Sequence, residues 1–550
     1  MKLFEDLTLK FEKPDWLRNP EFGVIDTMKK VNYKIRIILF SLWLLGIHAM
    51  ALSQTRNPQA TLTINIDSTF QMYNRMIFGQ FIEHFHRQIY GGIFEPGSAL
   101  SDEQGFRKDV IEALRELKVP VVRWPGGCFV SSYHWLNGVG KVRVPDYDKA
   151  WHVEDPNTFG TDEFIAWCRK IGAEPFICTN AGTGTPEEMS DWVEYCNLKD
   201  MGRFAKMRIA NGHTEPYNVK YWSIGNENYG SWELGAKTVN EWGYFVRESA
   251  KLMFNVDISI KLFAAALPDS SWTIPLLQRA GHYLDFISIH GYWDRLQEVN
   301  NPSDYLTCMR LSVLPESRIQ SAIDILKKTG YNNKIKIAFD EWNLRGWHHP
   351  GHGNRIKEQD IKARDLADIN STYTMADALF SASFLNSCLR NSKYVVMACM
   401  SPVVNTRGPL YVYPGGIVKR TTYHVMNMYS NLLQPNVLPS QIKSDLLKVS
   451  VSGRDISVPI VDAVVTCSND KKYYSIVLVN KHPEKDVECN LGLSNIPQKI
   501  DATILSGDSP DAYNDINTPN RVVPERKQID VKNGHVLLPA HSLIILFLKP

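Results

Sequence analysis

Across residues 76–405, short apolar runs alternate with stretches of helical period, and no other feature constrains the fold so tightly. The strand-like runs are residues 76–85, 119–124, 174–180, 219–224, 261–266, 284–290, 334–339 and 394–400. Between them lie helix-period segments at 107–117, 161–171, 186–197, 239–254, 271–280, 316–328 and 372–389. Several carry start signals, such as Thr185-Pro186-Glu187-Glu188, with a polar cap, a first-turn proline and acids at the positive helix end. Strands that are apolar throughout suit a parallel sheet covered on both faces. Eight of them in alternation with helices predict an α/β fold, a (β/α)₈ barrel with long loops. A doubly wound sheet is the runner-up, but it would show a Gly-rich phosphate turn after its first strand, and G-x-G-x-x-G is absent.

The pattern changes after Asn405. Residues 446–451, 463–467, 473–480, 487–491, 499–505 and 535–548 are short, β-branched and separated by turn residues, which predicts an all-β sandwich of jelly-roll type. One alternating run at 61–67, with Leu62, Ile64 and Ile66 on one face, precedes the barrel and is expected to complete that sandwich. The length of 550 residues fits this division, because it exceeds what one core usually organises. The expected domains are an upstream extension at 1–27, a signal peptide at 28–53, the N-terminal sandwich strand at 54–70, the barrel at 71–410 and the sandwich at 411–550.

The signal peptide is read from Lys29, Lys30, Lys34 and Arg36, the apolar run at 37–45, and Ala49-Met50-Ala51. The basic cluster follows Met28 directly, which suggests Met28 as the true start and a mature chain beginning between Leu52 and Gln54. The run is too short to span a bilayer, so the mature chain should lack a membrane span, and a single anchor is the alternative. Export to the periplasm or medium is expected. Charge argues against nucleic acid as a partner: the net +2 arises within residues 1–51, and the remainder carries 53 charges of each sign. With 44% apolar and 22% charged residues the chain is globular. The nine cysteines are scattered without C-x-x-C pairs, so neither a disulfide framework nor a zinc-finger spacing is present.

In such a barrel the chemistry sits at the C-terminal strand ends. The fourth strand ends in Gly225-Asn226-Glu227-Asn228 and the seventh in Asp340-Glu341-Trp342-Asn343, each placing a carboxylate at the barrel mouth. Two converging carboxylates are what glycosidic cleavage requires, one protonated to help the leaving oxygen, one ionised to attack the anomeric carbon.

These two motifs, with Phe78-Gly79-Gln80-Phe81-Ile82-Glu83-His84 and Arg123-Trp124-Pro125-Gly126-Gly127-Cys128-Phe129, resemble the retaining α-L-arabinofuranosidases of glycoside hydrolase family 51. The resemblance runs from about Thr61 to the C-terminus. It implies a barrel joined to a β-sandwich, exo-acting release of terminal α-L-arabinofuranosyl groups, an arabinose-containing oligo- or polysaccharide as partner, no cofactor and no metal. It also implies Glu227 as acid/base and Glu341 as nucleophile. The pKa of Glu227 is expected to be raised by burial and by the neighbouring carboxylate. Glu83 resembles the carboxylate that binds sugar hydroxyls, Arg123 the guanidinium that keeps the nucleophile ionised, Asn226 the partner of the 2-hydroxyl, and His290 and Tyr292 the His-x-Tyr pair near the nucleophile.

Two positions depart from the family pattern. Cys128 stands where some members have Asn, and the eighth strand end reads Ser401-Pro402-Val403-Val404-Asn405 where some carry a Gln. Asn405 is then the nearest polar group at that strand end. Members of the family are often oligomers, so a homo-oligomer stays open. Other retaining glycosidases on this barrel, a β-xylosidase or an endoglucanase, share the strand-four and strand-seven carboxylates, while the F-G-Q-F-I-E-H segment favours arabinofuranose. A non-catalytic carbohydrate-binding protein is a further alternative, given 14 Trp and 23 Tyr. A metal-dependent hydrolase built on His348, His349 and His352 is the weakest, since no H-E-x-x-H run supports it.

Overall fold

The computed structural model describes residues 57–296, 300–346, 358–451, 453–493 and 496–549. The segments read as upstream extension and signal peptide lie outside the described residues, as does the loop holding His348, His349 and His352. No helix among the described residues is long and apolar enough to cross a membrane.

Eight parallel strands close into a barrel: β1 (Gly79–Phe81), β2 (Val121–Trp124), β3 (Glu174–Thr179), β4 (Tyr221–Ile224), β5 (Lys261–Ala265), β6 (Phe286–Arg295), β7 (Lys336–Gly346) and β8 (Val395–Met400). Each pairs with its neighbours in chain order, and β8 closes on β1. Phe81, Val121, Phe176, Tyr221, Phe263, Ala338, Met397 and Cys399 fill the interior, so the barrel is a packed core that carries its site on top.

The surrounding helices follow from local signals. Thr185 accepts from Glu188 N at 3.1 Å to cap Pro186–Asn197, the start expected from the sequence. Val239–Val256 opens with a capping box between Thr238 and Glu241 and turns Trp242, Val246, Ala250 and Met253 inward. Burying each such side chain contributes about 1.5–3 kcal/mol, and Trp242→Ala would cost about 3–5 kcal/mol through the cavity it leaves.

A further helix, Thr421–Leu432, follows β8 in the chain, where the sequence pattern predicts none. Thr421 to Met426, Met428, Tyr429 and Ser430 are all buried, so the helix is enclosed on most of its faces and shows no amphipathic period. The sandwich follows as a seven-stranded and a four-stranded sheet. Gln59–Ile64 lies in the smaller sheet, antiparallel to Ser440–Ser444 and parallel to Val487–Asn490. It buries Leu62 and Ile64 but ends before Ile66, which is exposed. Gln71–Met72 adds a short edge to the larger sheet beside Asn436–Leu438. Met375–Arg390 packs between β7 and the sandwich strand Val461–Cys467, which explains why nearly every residue of that helix is buried.

Candidate active site

The turn after β4 sets two side chains by backbone strain. Gly225 has φ +68°, and a Cβ there would lie 2.1 Å from Asn228 Oδ1 and 2.7 Å from the Ala181 methyl, so only glycine fits. Two residues on, Glu227 itself has φ +44°, a left-handed conformation that costs a non-glycine residue about 1–3 kcal/mol. The result is a sharp bend that turns both Asn226 and Glu227 into the barrel mouth.

On the opposite wall β6 and β7 run on together past the other strands, pairing His290 with Glu341 and Tyr292 with Asn343. The register slips between Ser288 and His290 and, against β8, between Phe339 and Trp342. Such bulges re-aim side chains. Here they let the consecutive Asp340 and Glu341 both reach Arg123. Arg123 on β2 is fully buried. Its Nη1 donates to Glu341 Oε2 at 3.0 Å, its Nη2 donates to Asn226 Oδ1 at 2.8 Å, and its Nε lies 3.4 Å from Asp340 Oδ2. Tyr292 Oη donates to Glu341 Oε1 at 2.5 Å, so each oxygen of that carboxylate has its own donor.

His290 bridges the two glutamates. Its Nδ1 lies 2.8 Å from Glu227 Oε1 and 3.4 Å from Glu341 Oε2, and its Nε2 lies 3.5 Å from Asp340 Oδ1. Burial disfavours a charged imidazole, but the charge of Glu341 and the hydrogen bonds to Asp340 and Glu227 outweigh it and hold the ring protonated. Glu227 responds in the opposite sense. Burial alone would raise its pKa, yet the His290 hydrogen bond and charge, with donors Trp232 (2.8 Å) and Tyr229 (3.3 Å), hold it well below the usual range. This reverses the expected raised carboxyl, because the sequence does not reveal that the imidazole bonds Glu227 directly. Both shifts favour the proton on His290 over Glu227.

Glu83, just after β1, forms the floor. Its Oε1 accepts from Gly127 N (2.9 Å), Phe129 N (3.1 Å) and Trp151 Nε1 (3.1 Å). Burial and the charge of Glu341 push it up to about 7 despite these donors. Gly127 is closely approached here: a Cβ would come 3.2 Å from Glu341 Oε2, so that carboxylate would have to shift by a few tenths of an ångström. The Cys128 thiol sits among Glu83, Glu227 and Glu233, and burial together with those charges raises it well above the usual thiol range.

Asn405 stands apart from this group. It is fully buried, its Nδ2 donates to the Arg87 carbonyl, and its Oδ1 accepts from Val412 N at 2.8 Å, so both ends of the amide serve the backbone. The polar group that β8's loop sends toward the nucleophile is Arg407, whose Nη2 donates to Tyr292 Oη at 2.9 Å. Sequence reading passed over Arg407, Trp232 and Glu233. Glu233 is a buried acid whose Oε2 accepts from Asn226 Nδ2 at 3.2 Å, and burial pushes it up to about 8. The available signals were a lone cation two residues past Asn405 and an aromatic–acid pair five residues past Glu227.

Glu227, His290 and Glu341 each offer an oxygen or nitrogen within 4.8 Å of the others, a spacing that suits a metal ion. The donors are already spoken for, however, with Glu341 held by Arg123 and Tyr292, and His290 by Glu227. What the arrangement offers chemically is two carboxylates at close range in unlike fields, one bound to fixed cationic and phenolic donors and one sharing a mobile proton.

Residues 113–308 match the family described as the alpha-L-arabinofuranosidase 1 domain, and residues 340–542 match the alpha-L-arabinofuranosidase C-terminal domain. The chain is 34% identical over 505 residues to alpha-L-arabinofuranosidase C of Emericella nidulans, covering 88% of this chain and 96% of that one. It is 35% identical over 450 residues to an intracellular exo-alpha-(1->5)-L-arabinofuranosidase of Halalkalibacterium halodurans, covering 78% and 87%. Among solved structures, the thermostable GH51 alpha-L-arabinofuranosidase of Thermotoga petrophila superposes with a TM-score of 0.77 at 33% identity, over 90% of this chain and all of that one. By sequence over nearly its whole length, and by a barrel and sandwich of the same build, this chain belongs to the α-L-arabinofuranosidases of glycoside hydrolase family 51.

Proposed function

We propose that the enzyme releases terminal α-L-arabinofuranosyl groups from arabinose-containing oligo- and polysaccharides by double displacement, with Glu341 as nucleophile and Glu227 as acid and base. The observation that carries this reading is the approach of carboxylate oxygens of Glu227 and Glu341 within 4.8 Å of each other. Retaining glycosidases hold their carboxyls about 5–5.5 Å apart, whereas inverting ones leave about 6.5–9.5 Å for a water.

In the first step a Glu341 oxygen bonds to the anomeric carbon as the bond to the aglycone oxygen breaks. The proton taken up by that departing oxygen comes from the His290–Glu227 pair, delivered through Glu227. Arg123 and Tyr292 keep Glu341 ionised until it attacks. Once Glu341 is an ester its charge is gone, and with it the largest influence keeping His290 protonated. In the second step water attacks the anomeric carbon, Glu227 accepts its proton, and the ester bond breaks to restore the Glu341 carboxylate. Glu83 and Asn226 serve as partners for sugar hydroxyls. A buried acceptor of this kind discriminates steeply, since a sugar lacking the hydroxyl leaves it unpaired. Cys128 completes the pocket wall.

Proton NMR of the first sugar released from p-nitrophenyl α-L-arabinofuranoside tests the mechanism. The α-anomer should appear first, and early β-anomer would overturn retention. Faster hydrolysis of the matching xyloside or glucoside would overturn the sugar assignment. Export rests on residues 28–53 alone, and N-terminal sequencing of the protein from its native source, with a start at 52–54, is its test.

A further inference from the structure

Arg407 presents an unusual arrangement. The side chain is buried in the loop after β8, yet no carboxylate among the described residues lies within 4 Å of its guanidinium nitrogens. Its Nη2 donates instead to the neutral phenol oxygen of Tyr292 at 2.9 Å and to Ser401 Oγ at 3.2 Å. Its central carbon lies 4.6 Å from the Tyr292 ring centroid, and its Nε is buried without a partner. The loop is pinned to β7 by Asn343 Nδ2, which donates to the carbonyls of Ser401 and Arg407, both at 3.0 Å. A buried cation without an ion partner is costly, so its charge must be balanced through space. The acids whose fields reach it are Glu341 and Glu83.

Tyr292 has one proton to give; its oxygen lies 2.5 Å from Glu341 Oε1 and 2.8 Å from Ser401 Oγ, and the charged carboxylate is the stronger acceptor of the two. A phenol whose oxygen accepts from a guanidinium becomes a better donor, because each bond polarises the next. The two oxygens of Glu341 are therefore both backed by arginine, Oε2 directly by Arg123 and Oε1 through the phenol by Arg407.

We propose that Arg407 is a positioning residue that acts on the nucleophile through Tyr292, speeding the departure of the Glu341 carboxylate when the covalent intermediate breaks down. This rests on the reading of Glu341 as nucleophile. In the second step negative charge returns to Glu341, and a donor strengthened by Arg407 gains most there.

The test is a double-mutant cycle of Arg407→Met and Tyr292→Phe, with Arg407→Lys as the milder variant. The substrate is 2,4-dinitrophenyl α-L-arabinofuranoside, whose good leaving group makes breakdown of the intermediate limiting. Arg407→Met should lower kcat about tenfold, the loss expected for one charge-assisted hydrogen bond. KM should fall with it, and the steady state that follows the burst of dinitrophenol should be about tenfold slower than in the native enzyme while the burst itself persists. In the Tyr292→Phe background the same change should alter kcat less than about twofold, because the path to Glu341 is already cut. Arg407→Lys should keep part of the effect, and carries the test if the Met variant does not fold. Full multiplication of the two losses, or a rise in KM at unchanged kcat, would mean that Arg407 meets the sugar itself and would overturn the proposal. Trapping with a 2-fluoro-arabinofuranosyl reagent separates the two levels. A label on Glu341 with multiplicative losses sinks only the Arg407 relay, whereas a label on another residue sinks the nucleophile assignment.

Discussion

Replacing His290 by Gln tests where the catalytic proton resides. The imidazole is buried, 2.8 Å from Glu227, 3.4 Å from Glu341 and 3.5 Å from Asp340, and those acids keep it charged against the pull of burial. Removing one member of a buried ion pair costs about 3–5 kcal/mol. If that loss falls on the transition state, kcat/KM drops roughly 10²- to 10⁴-fold, at about 1.4 kcal/mol per tenfold. The pH dependence carries the sharper signal. In the native enzyme the pair keeps its proton until pH passes the raised histidine value. In the Gln variant the proton resides on a carboxyl alone, so the alkaline limb should move to lower pH. The assay is kcat/KM from about pH 5 to 10 on methyl and 2,4-dinitrophenyl α-L-arabinofuranosides. The defect should shrink on the dinitrophenyl substrate, whose leaving group departs without a proton. An unmoved alkaline limb, with equal defects on both substrates, would refute the shared-proton argument. Stability provides a second check. A raised histidine pKa stabilises the fold fully below the unfolded value of about 6.5 and progressively less as pH climbs through the folded value. The gap in Tm between the native enzyme and the Gln variant should therefore narrow in alkali.

Glu341→Ala should cut turnover by roughly 10⁵-fold or more while arabinose binding persists in calorimetry, and added azide should restore cleavage with inverted arabinosyl azide as product. Glu233 is pushed up to about 8, so it binds a proton on folding. It therefore erodes native stability as pH rises from about 4.3 towards its folded value, by roughly 1.4 kcal/mol per unit at most. In urea melts, Glu233→Gln should gain on the native chain between about pH 5 and 8, and a constant difference would contradict the buried-acid assignment. Gly225→Ala, whose Cβ would press on Asn228 Oδ1, should cost about 1–3 kcal/mol in backbone strain and lower kcat by displacing Asn226 and Glu227. Paired measurements of Tm and kcat check it.

The alternation of apolar runs with helical stretches made the barrel legible, because strands covered on both faces must be apolar throughout. The same logic explains the strands read too short. The predicted runs at 284–290 and 334–339 correspond to Phe286–Arg295 and Lys336–Gly346, each extending well past its predicted end. Those extensions carry Tyr292 and Asp294 on one strand and Asp340, Glu341, Asn343 and Arg345 on the other. Polar side chains end an apolar run in the sequence. In the fold they satisfy partners brought in by other elements, as when Arg345 bonds both Asp294 on β6 and Asp377 on the helix after β7. Thr421–Leu432 was hidden for the opposite reason, since burial on most faces erased its period.

At the site, strand-end position pointed to Glu227 and Glu341, and the family resemblance added Glu83, Arg123, Asn226, His290 and Tyr292; the structure brings these side chains together at the barrel mouth. It failed where a loop decides. Asn405 and Arg407 are two residues apart in the loop after β8, yet one amide is consumed by the backbone of Arg87 and Val412 while the guanidinium reaches Tyr292. Asn405 has φ +56° and the next residue, Thr406, φ +44°. Consecutive left-handed residues are uncommon without glycine, and this pair follows from no composition or period. Charge was equally hidden. A carboxyl in a crowded acidic pocket should hold its proton more tightly, and Glu83 and Glu233 obey that rule, being pushed up to about 7 and about 8. Glu227 breaks it because one imidazole lies 2.8 Å away with further acids behind it, and Trp232 and Tyr229 donate to it as well. Proximity of that kind is a property of three strands meeting. It cannot be written into any one of them, so the proton's location had to come from the fold.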